Sequence, residues 1–276
     1  MRILQISDTH LSATHGHFAE NARATGAWLA AQPADLIVHT GDLSMNGAIQ
    51  ADELAHAAAW NATLLVEMRS VPGNHDVGDH RTINPNQAVD DTRLALWRAY
   101  IGPDRWAEDR GGWRLIGLNA MLLGTGHVEE EAQFDWLAEA LRTDAPIALF
   151  LHKPLFIDNP EEGPRGYWTV APAPRARLMA LINAAPVRLV ASGHLHIHRQ
   201  IIHDGIDHVW GPAASFVCGD SQEDLGGARR LGVIEHIFGA DRVVSRFIRP
   251  EGLADLPIEP VSHLVYPRPT AAEPAR

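Results

Sequence analysis

The chain has 276 residues, 46% hydrophobic and 21% charged, with 23 Lys or Arg against 34 Asp or Glu and a formal net charge of −11 at pH 7. That composition supplies a large core and excludes disorder, collagen and coiled coil as the main theme. The acidic balance disfavours duplex nucleic acid and an anionic membrane as principal partners, and the lone Cys218 excludes an intrachain disulfide framework or a thiolate metal cluster.

In chain order, Ile3 to Ile6 reads as a strand, Phe18 to Ala31 as a helix and Asp35 to His39 as a second strand. A helix over Ile49 to Asn61 and a strand over Leu64 to Val71 follow, giving the βαβαβ pattern of an α/β fold with a largely parallel first sheet. Val77 to Asp109 begins polar and then carries Leu94, Leu96, Trp97 and Tyr100 at helical spacing, which predicts a helical excursion. Strands are expected at Trp113 to Leu118, Ile147 to Leu151 and Val187 to Ala191, and helices at Glu130 to Leu141 and Arg175 to Ala184. Between them, Asp158 to Pro174 is a long Pro- and Gly-rich loop. The last third holds four further strands, at Arg199 to Ile202, Asp207 to Trp210, Leu231 to His236 and Arg242 to Ile248, and these predict an antiparallel second sheet. No linker divides the chain, so one domain is expected over residues 1–250 with a Pro-rich tail over 251–276. The apolar start is too short for a secretory signal and no run approaches the roughly 20 residues of a membrane span, which together point to a cytoplasmic protein.

Polar residues recur directly after the expected strands. They are Asp8 and His10 after the first, Asp42 in His-Thr-Gly-Asp, Asn74 and His75 in Gly-Asn-His-Asp, His152 in His-Lys-Pro, and His194 and His196 in Gly-His-Leu-His. In α/β sheets the carboxyl ends of strands are where ligands bind, so five loops aim two carboxylates, an amide and several imidazoles at one region. Gly41, Gly73 and Gly193 each precede one of these residues and permit close backbone approach. Taken singly, an Asp-x-His is a turn and a lone buried His satisfies backbone groups; their joint occurrence is what points to a site. Without thiolates the set suits divalent Mn, Fe, Zn or Co. Seven ligands are too many for one open catalytic ion, and two ions sharing a carboxylate fit better.

The ordered set Asp-x-His, Gly-Asp, Gly-Asn-His-Asp, His and Gly-His-x-His, over residues 8–196, resembles the calcineurin-like metallophosphoesterase superfamily. Length and spacing are similar to its bacterial class III cyclic nucleotide phosphodiesterases and glycerophosphodiesterases. The resemblance implies a four-layer αββα sandwich of two mixed sheets, with a dimetal site at the strand edge. It implies that Asp8, His10 and His196 hold one ion, Asn74, His152 and His194 the other, and that Asp42 bridges them. It also implies that His75 sits beside the phosphoryl oxygens, with Asp76 orienting it. The expected activity is hydrolysis of a small soluble phosphodiester; a phosphomonoesterase with the same metals is the alternative, with Arg165 as its extra cation, and a non-catalytic scaffold is a third reading. Many relatives have a second His after the ligand His; here Lys153 stands there, either as an added positive group or as a solvent-facing neighbour.

Among the remaining residues, His15 and His17 read as a solvated loop, His198 as a core or supporting residue and His127 as a helix start. Trp28, Trp60, Trp97 and Trp136 read as core, whereas Tyr167 and Trp168 are candidates for a wall against an organic group. Residues 77–109 and 252–276 are candidates to cap the pocket or to join two copies.

Overall fold

The computed structural model describes residues 1–219, 222 and 225–265. The elements in chain order are β1 (Arg2–Ile6), α1 (Ala19–Ala30), β2 (Leu36–His39), α2 (Ala51–Asn61), β3 (Met68–Ser70) and α3 (Asn74–Val77). Next come α4 (Asp91–Tyr100), β4 (Trp106–Arg110), β5 (Trp113–Leu118), α5 (Val128–Ala140), β6 (Ile147–Leu151), α6 (Pro172–Asn183) and β7 (Val187–Ser192). The last are β8 (Arg199–His203), β9 (Ile206–Trp210), β10 (Val233–Phe238), β11 (Val243–Ile248) and α7 (Ser262–Val265).

Two mixed sheets face each other. The first runs β11-β10-β1-β2-β3 and the second β4-β5-β6-β7-β9-β8. The final four strands therefore do not make a sheet of their own, as their short turns suggested. The β8–β9 hairpin extends the second sheet, with β9 parallel to β7, while β10 and β11 return to the first beside β1. Alternation along a strand shows which side is buried but not which sheet edge receives it.

Side-chain alternation builds the layers. Ile3, Leu36 and Val38 from the first sheet meet Leu115, Ala148, Phe150, Leu189 and Val209 from the second between the sheets. Their neighbours Leu4, Ile6 and Ile37 turn outward under Leu29, while Ile116, Leu149 and Val190 pack beneath Phe134, Leu137, Leu178 and Ile182. The result is helix, sheet, sheet, helix. Because the central strands are buried on both faces, they read in the sequence as continuous apolar runs.

The excursion after β3 contains α4, whose Leu94 and Trp97 pack with Leu43 and Leu54, and it also supplies the edge strand β4. Beyond Pro250 the chain lies back on the molecule: Pro257 bridges Val217, and Ile258 and Val265 are buried with Phe18, Met45 and Phe216. Residues 266–276, expected as the end of the tail, lie outside the described residues.

Two core histidines give the fold an acid limb. His236 bonds Ser245 Oγ (2.8 Å) and Gln5 Oε1 (3.0 Å), and burial together with His198 lowers its pKa to about 3. Burial and His203 lower that of His208 to about 4. An unfolded chain binds these protons near pH 6.5, so their stability contribution is full above that pH and is lost as pH falls toward 4 and 3. The expected slope is about 1.4 kcal/mol per pH unit for each histidine. In denaturant titrations across this range, His236→Gln should flatten the limb; an unchanged slope would assign the acid sensitivity elsewhere.

Candidate metal centre

The five loops come from both sheets, those after β1, β2 and β3 from one and those after β6 and β7 from the other, and they converge where the two strand edges meet. The β1 and β2 loops continue their parallel pairing, with Asp8 N donating to Gly41 O (3.0 Å) and His10 N to Asp42 O (3.1 Å). Close approach is enforced by glycine. A Cβ on Gly41 would stand 2.5 Å from His152 Nδ1, one on Gly73 2.1 Å from Asp42 Oδ1, and one on Gly193 1.9 Å from Ser7 Oγ. Asp8, His10, Asp42, His194 and His196 all adopt positive φ, between 41° and 72°. Such backbone is uncommon outside glycine and is held only where its surroundings fix it, which is typical of functional sites.

The donor atoms fall into groups. Asp8, His10 and His196 form one trio and Asp42, His152 and His194 another, with all ligand atoms of a trio within 4.8 Å of one another. Asn74 joins the second through Oδ1, 3.2 Å from His152 Nε2. Asp42 Oδ2 faces both trios, 3.3 Å from His152 Nε2 and 3.7 Å from His10 Nε2, while its Oδ1 accepts from His75 N (2.8 Å). The structure therefore brings together Asp8, His10, Asp42, Asn74, His152, His194 and His196, with His75 beside them.

The chemistry of the donor set fits metal ions. His152 Nδ1 lies 2.7 Å from Thr40 O, His196 Nδ1 2.8 Å from Phe216 O and His194 Nε2 2.9 Å from Tyr167 O, so the carbonyls take the ring protons. Where such a ring is neutral, its other nitrogen offers a lone pair to the centre. His152 Nε2 and His194 Nδ1 face each other at 3.2 Å, a contact satisfied by a proton shared between them or by a metal ion beside them. Asp8 Oδ1 is buried without a hydrogen-bond partner, aimed at the same space and 3.4 Å from His196 Nε2. Burial holds His10 and His194 well below the usual imidazole range. At His152 burial acts in the same direction, but the Asp42 and Asp8 carboxylates lift it to about 9, so the fold itself favours positive charge there.

His75 and Asp76 have different tasks from one another. The His75 ring is held by Met45 O at Nδ1 (3.0 Å), with Nε2 4.0 Å from Asp42 Oδ2. Asp76, expected to orient it, instead accepts from Leu43 N, Ser44 N, Ser44 Oγ and Gly73 N at 2.7–3.1 Å, tying the β2 loop to the β3 loop. Burial and the nearby Asp42 raise its carboxyl to about 6.

Above the centre lies a cavity of about 190 Å³ lined by His10, His75, His194, Trp168, Phe216 and Gln222, among others. Tyr167 also lines it, and its hydroxyl accepts from Asn74 Nδ2 (3.3 Å) while its ring lies 4.6 Å from that of His194. The long loop carrying it is anchored from beneath: Ile157 N and Asp158 N donate to Glu162, and the buried Arg175 pairs with that same carboxylate. Arg165 is exposed, pairs with Asp158 and Glu162, and is absent from the cavity lining, so it is not the extra cation expected of it. The contacts of Tyr167 O and Phe216 O are invisible to motif reading, because backbone carbonyls leave no side-chain pattern.

Lys153 is neither solvent-facing nor free for a substrate. Its ammonium is buried against Asp79, at 2.9 and 2.8 Å from the two carboxylate oxygens, and fastens the start of the excursion beside the site. Lys153→Met should cost about 3–5 kcal/mol in denaturant unfolding because Asp79 is left buried and unpaired, and a loss under about 1 kcal/mol would mean that the pair behaves as a surface one.

Of the remaining readings, His127 caps α5 by accepting from Glu129 N, His198 bonds Trp210 O, and Trp97 is fully buried. No helix among the described residues is long and apolar enough to cross a membrane.

Comparison with known proteins matches residues 1–198 to the model of the calcineurin-like phosphoesterase family. The chain is 30% identical over 169 residues to the 3',5'-cyclic adenosine monophosphate phosphodiesterase CpdA of Escherichia coli K12, covering 56% of each. It is also 30% identical over 174 residues to the serine/threonine-protein phosphatase CPPED1 of Danio rerio, covering 60% of this chain and 52% of that one. The chain thus spans about half the length of the curated relatives it matches. The fold is similar to that of a dimetal phosphatase from Danio rerio, with a TM-score of 0.59 and 15% identity over 90% of this chain and 95% of that one.

Proposed function

The chain belongs to the calcineurin-like phosphoesterase family, and from that premise we propose that it is a dimetal-dependent phosphodiesterase acting on a small diester of the cyclic nucleotide or glycerophosphodiester kind. Asp8, His10 and His196 would hold one ion; Asn74, His152 and His194 would hold the other, with Asp42 between the two groups. When bound, divalent ions from the Mn, Fe, Zn and Co group supply Lewis-acid polarisation of the phosphoryl group and activation of water.

The residues contribute orientation and proton control. Thr40, Tyr167 and Phe216 carbonyls fix the ligand tautomers, and the His75 amide fixes the Asp42 carboxylate through Oδ1. His75, with Nδ1 on Met45 O, lines the cavity, where its ring stands beside the place a phosphoryl or leaving oxygen would take. The lone Cys218 accords with a cytoplasmic setting.

The observation that carries diester over monoester is the cavity lining: among the described residues it contains neither Lys nor Arg. A monoester dianion asks for more positive charge than the metals alone provide, whereas a diester monoanion does not. Protein loaded with Mn²⁺ should therefore hydrolyse bis-p-nitrophenyl phosphate with higher kcat/KM than p-nitrophenyl phosphate. The reverse order would favour a phosphatase, the activity in the name of the CPPED1 relative. Metal uptake without turnover of either would favour a scaffold.

A further inference from the structure

Behind the second group of candidate ligands, a single residue of the long loop between β6 and α6 meets two side chains at once. Tyr167 O lies 2.9 Å from His194 Nε2, which leaves His194 Nδ1 toward the centre, and the Tyr167 hydroxyl accepts from Asn74 Nδ2 at 3.3 Å. The nitrogen and oxygen of an amide sit on opposite branches, so an acceptor for Nδ2 on one side directs Oδ1 to the other, where it stands 3.2 Å from His152 Nε2. The first group is held from a different part of the chain: His196 Nδ1 meets Phe216 O, and Ser215 Oγ donates to Asp8 O. Tyr167 is itself fixed in place. Its ring centroid lies 4.6 Å from that of His194 and 5.2 Å from that of Trp168, and the Lys153 ammonium, paired with Asp79, stands 5.6 Å from it.

We infer that Tyr167 is a positioning residue for the second ion, orienting Asn74 and His194 toward it, so that the loop between β6 and α6 sets the affinity of that ion and leaves the first alone. This rests on the dimetal reading above and deepens it. Groups that hydrogen-bond to metal ligands from behind typically account for about tenfold to a hundredfold in affinity. One loop residue behind two ligands of the same group therefore makes the two ions unequal in how they are held.

The test is a Mn²⁺ titration of the metal-free full chain, with free Mn²⁺ read by electron paramagnetic resonance to give two binding constants. The constant that Asn74→Ala shifts marks the second group. Tyr167→Phe keeps the ring, its neighbours and the backbone carbonyl, and removes only the hydroxyl. It should weaken the second constant about tenfold and leave the first within about twofold. Diester hydrolysis should fall at limiting Mn²⁺ and return to within about twofold of the wild type at saturating Mn²⁺, a rescue that a merely structural defect would not show. Constants that stay unchanged, or that weaken alike, would overturn the inference and leave the dimetal reading standing. A loss of kcat/KM that saturating Mn²⁺ does not repair would also overturn it, by placing the hydroxyl on the substrate. A wild type that binds fewer than two ions would remove the dimetal reading and this inference with it, and the binding constants decide even where no ester turns over.

Discussion

Asp42→Asn is expected to remove diester turnover by about 10²–10³-fold or more, the scale of losing a preorganised charge at the reacting group. The substitution is nearly isosteric, and Asn Oδ1 can still accept from His75 N, so the fold should survive. What disappears is the negative charge among His10, His75 and His152, whose distances to Oδ2 are 3.7, 4.0 and 3.3 Å. Burial by itself would raise the Asp42 carboxyl, but the imidazoles of His152 and His75 hold it well below the usual carboxylate range. Among the described residues Asp42 is grouped both with His10 and His75 and with His152 and His194. Metal analysis after gel filtration should show lower occupancy than in the wild type, for which the proposed site predicts two ions per chain, with circular dichroism unchanged. Full occupancy and full turnover would refute the bridging role.

The second large effect is on stability. Asp76→Asn should cost about 1–3 kcal/mol in denaturant unfolding, since an NH₂ replaces one acceptor oxygen and leaves at least one buried donor unpaired. Turned toward Leu43 N and Gly73 N the amide nitrogen leaves both without an acceptor, whereas turned toward Ser44 it can donate to the hydroxyl and leaves only Ser44 N unpaired. Those bonds set the path of the chain on either side of Asp42, so metal affinity should weaken as well. A variant of wild-type stability would mean that the two loops hold together without the carboxylate.

Much of this was legible before any coordinates. Ile147–Leu151 is apolar at every position because its strand is covered on both faces, and the ligand residues announce themselves because each follows a strand with a glycine that admits no side chain. Trp106–Arg110 escaped notice because only Trp106 is buried among outward-facing charged and partly exposed residues, so an edge strand read as part of a helical excursion. Leu64–Val71 shortened to Met68–Ser70, as apolar content alone does not supply a pairing partner. Asp76, which the resemblance assigns to orienting His75, bonds Ser44 instead, while His75 Nδ1 lies against Met45 O; the short helix α3 turns the two side chains to different neighbours, and a motif does not show that turn. Lys153 illustrates the same limit, because its partner Asp79 lies 74 residues away with no shared periodicity.

The position of β1 has a consequence for how the molecule is made. This strand is completed by β10, with Arg2 opposite Ile237 and the terminal amino group donating to Phe238 O, 237 residues along the chain. During synthesis β1 therefore waits for a strand more than 200 residues later, and the entropy of closing so long a loop must be met before that pairing gives any return. A nascent or truncated chain ending at residue 198 would carry every candidate metal ligand and still expose the bare edge of β1, a template for strands of other chains. The candidate ligands and the cover of the β1 edge thus come from separate stretches of the chain; β10 supplies that cover, while Phe216 adds its carbonyl and ring to the candidate site.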